Sequence, residues 1–345
     1  MTNVSTVQCR VEHRTELEDE RRLTRVGNEP GNEFNFQSTR KRRMADIDRL
    51  LIRTSRTFAL AIPLLPEPLR REVGVAYLLF RIADTFEDAA CWPQAQRLAA
   101  LADFDRLLRS SSPSSAEEAQ RLAAAWVAAK PCDHAGYLEL LAETPAVLAE
   151  LDAFAPSRRA AIVRHTLRTS EGMAGFVARG SADGSLHLST LGDLRHYCYI
   201  VAGIVGELLT DLFLDHAPEL ARGRRALVDN SVPFGEGLQL VNILKDADSD
   251  AKDGRVYLPE AIDRGEILAI ARDDLRAATD YVLALQAFGA PRGVVSFTAL
   301  PVLLARATLD QVERFGAGRS ISRADVAALM GRLVEDLDAG APALS

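Results

Sequence analysis

The chain has few of the residues that mark the commoner functional classes. Its four cysteines, Cys9, Cys91, Cys132 and Cys198, are scattered. They form no C-x-x-C and no disulfide-like framework, so a reducing, cytoplasmic setting is expected. Six histidines show neither H-E-x-x-H nor any other ligand spacing, which argues against zinc. No G-x-S-x-G, P-loop or strand-linked G-x-G-x-x-G occurs, and with them go a serine-hydrolase elbow, a nucleotide cradle and a Rossmann module. A net charge of −7 gives no electrostatic reason to expect nucleic acid as a partner. Apolar runs are broken by Glu207, Arg292 and several prolines before they reach the ~20 residues of a spanning helix. No transmembrane segment is expected, and peripheral contact with a membrane surface during product release is the most the pattern allows. Strand-type alternation of Val, Ile and Thr is scarce too.

What remains is helical. From Met44 onward Leu, Ala, Arg and Glu recur at three- and four-residue spacing. Turn residues punctuate the pattern at Pro63–Pro68, Ser110–Ser115, Lys130–Asp133, Ala155–Ser157, Gly180–Gly184 and Gly289–Gly293. The reading is one all-α domain over residues 44–336, with 337–345 as a C-terminal tail. Residues 1–43 are polar, end in Arg40-Lys41-Arg42-Arg43, and read as a disordered extension with a solvated basic flank. Met44 is a candidate natural start.

Within these helices two aspartate pairs stand out, Asp84/Asp88 in DTFED and Asp246/Asp250 in DADSD. Like charges at i,i+4 oppose a helix by roughly 0.2–0.5 kcal/mol, so each pair calls for compensation. Magnesium offers it, taking one or two carboxylates and completing its shell with water and substrate phosphate oxygens. On a helical wheel Val73, Tyr77, Phe80, Asp84 and Asp88 span an arc of only ~80°, which turns the aspartates inward with the aromatic stripe. Arg81, one turn earlier, is placed to meet a diphosphate bidentately, and Glu87 to make an outer metal contact. Gln239, Asn242, Asp246 and Asp250 share a second face of ~80°, opposite Leu240, Val241 and Leu244. Amides among carboxylates donate hydrogen bonds to phosphate oxygens and metal-bound water without adding charge. Asp248 and Asp253 fall off this face. Gly235 and Gly237, just before it, read as sites of close helix packing.

Four stretches, TSRTFAL (54–60), YLLFRIADTFED (77–88), YCYIVAGIVG (197–206) and QLVNILKDADSDAKDGRVYLP (239–259), together resemble the squalene/phytoene synthase family of head-to-head prenyl synthases. The resemblance implies an all-α isoprenoid synthase fold with a central cavity. It implies metal ligands at Asp84, Asp88, Asn242, Asp246 and Asp250, and diphosphate contacts at Arg56, Thr57, Arg81, Gln239 and Asn242. It also places Tyr197 near the reacting centre, where residue chemistry alone suggests a packed core tyrosine. Phe58, Phe80 and Phe176 are candidate cavity walls. Lys245 stands where many family members carry Arg, so the charge is kept and the bidentate fork lost.

The implied reaction joins two prenyl diphosphates 1–1′. Its first choice is two farnesyl diphosphates passing through presqualene diphosphate to squalene, with Mg2+ and with NADPH for the last step. TFALAIPLLP, Met173–Val177 and FTALPVLLARATLDQV (297–312) lean toward squalene-type members, with a bacterial cast, whereas DGRVYLP does not discriminate. Dehydrosqualene or phytoene formation without reduction is the alternative, and prenylation of an aromatic acceptor a further one. A vestigial, non-catalytic partner would have lost an aspartate of the four, and none is lost.

Overall fold

In the computed structural model the described residues are 46–55, 57–110, 113–181 and 185–344. The extension expected over residues 1–43 lies outside them. Helix α1 (46–54) leads through the short α2 (Phe58–Ala61) and a 3-10 turn (Ile62–Leu64) into α3 (Leu69–Glu87). Then come α4 (Gln94–Arg109), α5 (Pro113–Ala129), α6 (Ala135–Ala142), α7 (Thr144–Asp152) and α8 (Pro156–Arg179). Next are α9 (Leu191–Cys198), a π-helical turn (Tyr199–Gly203), α10 (Ile204–His216) and α11 (Arg224–Lys252). The bundle closes with α12 (Arg264–Ala287), α13 (Arg292–Phe315) and α14 (Arg323–Asp338). Two expected loops are shorter than the Ser and Pro content suggested. Pro113 begins α5, and Pro156 sits in the first turn of α8, where its missing N–H costs nothing.

Local chemistry explains the boundaries. Thr190 caps α9 by accepting from the Asp193 N–H, and Asp263 caps α12 from the Gly265 N–H. Ser322 and Asp325 form a reciprocal capping box on α14. Gly316, at φ 86°, ends α13 in a conformation that a Cβ would strain.

Packing centres on α11, which lies against α10, α12 and α13, while α3 packs on α8 and α4. Small residues let the backbones close up. A Cβ on Gly206 would run into the Ser231 carbonyl, and one on Gly235 into the Ala202 carbonyl. The close-packing role read for Gly235 is what the fold shows. Two stretches, Leu191–His216 and Arg292–Phe315, are long and apolar enough to cross a membrane by length and composition. Isolated charges such as Glu207 and Arg292 do not bring those windows below that level. More than half of each window is buried within the bundle.

The expected C-terminal tail is also corrected. α14 runs on to Asp338, Gln286 Nε2 donates to the Ala341 carbonyl, its Oε1 accepts from the Ala343 N–H, and Ala343 and Leu344 are buried. A side-chain amide that satisfies two backbone groups docks this end on α12.

One buried charge group makes a testable statement about stability. Arg195 bridges Glu236, at 2.7 Å, and Asp274, so two enclosed carboxylates share one cation. Burial pushes Glu236 up to about 7, against the pull of Arg195 and with the charge of Asp274 adding to the rise. A carboxyl raised on folding contributes stability that is fully present below its ordinary 4.5 and is lost as pH climbs through about 7. Glu236→Gln leaves the Arg195–Asp274 pair neutral. It is expected to make the protein more stable than the parent at about pH 8, with the gap closing toward about pH 4.5. Urea unfolding at the two pH values checks this, and equal gaps at both would refute it.

Candidate active site

A cavity of about 240 Å³ runs between α3 and α11. From α3 it takes Tyr77, Phe80, Arg81 and Asp84, and from α11 Gln239 and Asn242. Phe58 of α2, Val201 and Ala202 of the π-helical turn, and Phe297 and Pro301 of α13 complete its apolar walls. The turn has a physical role here. An i→i+5 turn inserted after Tyr197 shifts the register of the following helix, and such turns recur at functional sites. Its Ile200 carbonyl accepts from Thr169 Oγ1 at 2.9 Å in the core.

Of the residues expected in the site, Arg81, Asp84, Tyr197, Gln239 and Asn242 line this cavity. Asp88, Asp246 and Asp250 stand beside it rather than in its lining. Thr57 is half-buried at the head of α2, makes no side-chain cap, and is not brought to the cavity. Arg56 lies outside the described residues. Phe58 and Phe80 form wall, as expected, whereas Phe176 is buried behind it, edge-on to Tyr197 at 5.1 Å.

The first acidic motif is denser than its pair of aspartates implied. Ligand oxygens of Asp84, Glu87 and Asp88 all lie within 4.8 Å of one another. Glu87, expected as an outer contact, is 2% exposed, and its Oε2 has no hydrogen-bond partner. Asp88 is the C-cap of α3, and Glu87, its last helical residue, falls within ~20° of Phe80 on the inward face. Burial, then the charges of Asp88 and Asp84, push Glu87 well above the usual carboxylate range. Asp88 is raised to about 6. Although 38% of its side chain meets solvent, protein mass surrounds the carboxyl, and that enclosure outweighs the Asp84 charge as the cause. Three crowded carboxylates, one with an orphaned buried oxygen, form the donor set that a hard divalent cation takes.

Cations answer these acids one by one. Arg81 pairs with Asp84, and its guanidinium is sandwiched at 5.7 Å from the Tyr77 ring and 5.3 Å from the Tyr137 ring. Lys245 Nζ lies 3.1 Å from Asp246. Arg255 pairs with Asp88 and also acts on Asp250, whose carboxyl is raised by burial and by the Asp246 charge. One guanidinium therefore lies between the two acidic motifs. Sequence reading passed over it, although D-G-R-V-Y carries a usable signal, an arginine just after the second acidic motif. Strand β2 (Arg255–Val256) pairs in parallel with β1 (Leu186–His187), which fixes the segment.

Tyr257 is the other residue missed. Its ring stacks on Tyr197 at 4.7 Å, and Tyr197 donates its hydroxyl proton to the Tyr257 oxygen at 3.1 Å. Burial pushes both phenols upward, and the nearby Glu87 adds to it. Tyr257→Phe keeps the stacking and removes the acceptor. It is expected to lower kcat about 10-fold with KM little changed, the size of one lost hydrogen bond. Steady-state kinetics decide it, and an unchanged kcat would leave Tyr257 a packing residue only.

An all-α bundle around an apolar cavity, with acid-bearing helices on two sides of its mouth, defines the class. The chain belongs to the squalene/phytoene synthase family, whose sequence profile matches residues 51–263. It is 28% identical over 288 residues to a squalene synthase of Schizosaccharomyces pombe, covering 77% of this chain and 59% of that protein. It is 32% identical over 214 residues to squalene synthase BSS of Botryococcus braunii, covering 60% of this chain and 41% of that one. The chain thus spans less than two thirds of these relatives' length. Among solved structures, TcSQS in complex with a ligand superposes with a TM-score of 0.65 at 23% identity, covering 84% of this chain and 85% of that one. A dehydrosqualene synthase in complex with a ligand gives 0.52 at 19%, covering 88% and 99%. At these identities the structural likeness is one of fold.

Proposed function

We propose that this protein is a prenyltransferase that joins two prenyl diphosphates head to head, with two farnesyl diphosphates as substrates and squalene as product. The observation that carries the reading is Arg255, a single cation set between two acidic motifs at the mouth of an apolar cavity. A metal site at the first motif is supported by the crowded Asp84, Glu87 and Asp88 and the unpartnered Glu87 oxygen. Asp246, Asp250 and Asn242 are the matching set on α11. Among the described residues no third carboxylate, histidine or cysteine closes a cluster there. Bound magnesium supplies Lewis acidity to the departing diphosphate.

The chain's own groups account for the rest. Arg81 and Arg255 are placed to receive diphosphate oxygens, and Gln239 and Asn242 add neutral donors. Tyr77 and Tyr137 hold the Arg81 guanidinium in place. In the first half of the reaction a C1–O bond breaks, C1 of that donor joins the other's double bond, and a proton leaves. Phe58 and Phe80 present ring faces to the cationic carbon and, with the aliphatic walls, exclude water from it. Tyr197, its own proton directed to Tyr257, turns acceptor lone pairs elsewhere, which suits a group near the departing proton.

A second reading ends in dehydrosqualene, by proton loss. It is the simpler ending, because the last cation then loses a proton and needs no reductant. Incubation with farnesyl diphosphate and Mg2+, with and without NADPH, followed by mass spectrometry of the extract, tests both. Squalene formed only with NADPH supports the first reading, and dehydrosqualene in either case the second. Phytoene from geranylgeranyl diphosphate would move the donor to the longer chain. No 1–1′ product from either donor would overturn both and redirect the search to an aromatic acceptor.

A further inference from the structure

Two of the scattered cysteines meet in the fold. Cys91 follows Asp88 by three residues, in the turn between α3 and α4, and Cys132 lies in the loop between α5 and α6. Cys91 Sγ is 3.1 Å from the carbonyl oxygen of Pro131, the residue bonded to Cys132, and 3.6 Å from that of Lys130. A trans peptide unit spans only ~3.8 Å, so the Cys91 thiol lies beside the Cys132 backbone, and the two thiols are near enough for Cys91 to act electrostatically on Cys132. Lys130, at φ 50°, turns the second loop toward the first. Trp92 Nε1 ties the two together by donating to the Ala129 carbonyl at 2.9 Å. Cys91 is exposed, Cys132 is half-buried, and both are free thiols. Burial pushes the Cys132 thiol up.

We propose that Cys91 and Cys132 form a redox-active thiol pair, which hydrogen peroxide closes into a disulfide across the two loops beside the first acidic motif. The exposed Cys91 sulfur attacks the peroxide. Its S–O bond forms, the O–O bond breaks, and the products are a sulfenic acid and one water. The Cys132 sulfur then attacks the Cys91 sulfur. The S–S bond forms, the S–O bond breaks, and the hydroxyl leaves as a second water with the Cys132 proton. Two thiols lose two electrons, and one peroxide gains them. The bridge would restrain Ala89–Trp92, directly after Asp88, and the start of α6, whose Tyr137 stacks on Arg81. Oxidation therefore slows turnover by stiffening both sides of the motif, and a reductant restores it.

The test treats the full chain with stoichiometric hydrogen peroxide, blocks free thiols by alkylation, and maps peptides by mass spectrometry. A single Cys91–Cys132 link, two hydrogens lighter, is expected in the parent and in C9S. It should be absent in C91S and C132S and reversed by dithiothreitol. Cys132 found alkylated while Cys91 carries sulfinic acid, or Cys91 linked elsewhere, overturns the proposal. The oxidised parent is expected to release pyrophosphate several-fold more slowly than the reduced one. Peroxide should leave the rate of C91S unchanged. A bridge formed without that slowing overturns the regulatory part. The rate arm rests on the prenyltransferase reading, whereas the peptide map does not, so the two failures are distinguishable.

Discussion

Asp84→Asn is expected to lower Mg2+-dependent pyrophosphate release from farnesyl diphosphate about 10³-fold, on the scale of removing one preorganised electrostatic contact to a leaving group. Asp84 is the acidic residue that both lines the cavity and belongs to the crowded cluster. The amide keeps the shape of the side chain and removes its charge, so Arg81 loses its ion-pair partner while remaining stacked between two tyrosines. Folding should not suffer, because the change relieves repulsion from Glu87 and Asp88. The melting temperature is therefore expected to hold or rise. Asp246→Asn, on the opposite helix, should also impair release, since its carboxylate belongs to the second motif. A parental rate in Asp84→Asn, with the protein folded, would sink the metal assignment at the first motif.

Gly206→Ala is expected to destabilise the protein by about 3 kcal/mol, at the upper end of the usual cost of overpacking. The added Cβ meets a backbone carbonyl, Ser231 O, rather than the end of a flexible side chain. To make room α10 and α11 must separate, and both line the cavity, so turnover falls along with stability. Gly175 is the matched control. It lies within α8, where an added Cβ would have nothing within 4 Å, so Gly175→Ala removes only the conformational freedom of glycine. That change is expected to stabilise by roughly 0.5–1 kcal/mol. Urea unfolding of both variants checks the pair, and a Gly206→Ala midpoint equal to that of the parent would contradict the close approach.

Periodicity made most of the site legible. The α3 stripe that carries Tyr77, Phe80 and Asp84 inward follows from 3.6 residues per turn, and so does the Gln239–Asn242 face of α11. The same wheel holds to the last residue of α3. It sets Glu87 beside Phe80, where the structure buries it, but it says nothing of how closely Asp84, Glu87 and Asp88 crowd at the C-cap. Arg255 and Tyr257 escaped for a different reason. Arg255 opens a two-residue strand and Tyr257 directly follows it; the strand's partner is far away in sequence, and no local pattern announces such a pairing.

By itself the sequence determined the helical class, the family, the two acidic motifs and the direction in which their helices face. These depend on residue type and spacing, which act over a turn or two of one element. Only the tertiary structure decided which groups meet. It set Arg255 between the motifs, paired Tyr197 with Tyr257, and brought Cys91 against the loop of Cys132. It also docked the C-terminal residues on α12. Each of these is a contact between elements distant along the chain, and its geometry is fixed by packing rather than by local preference.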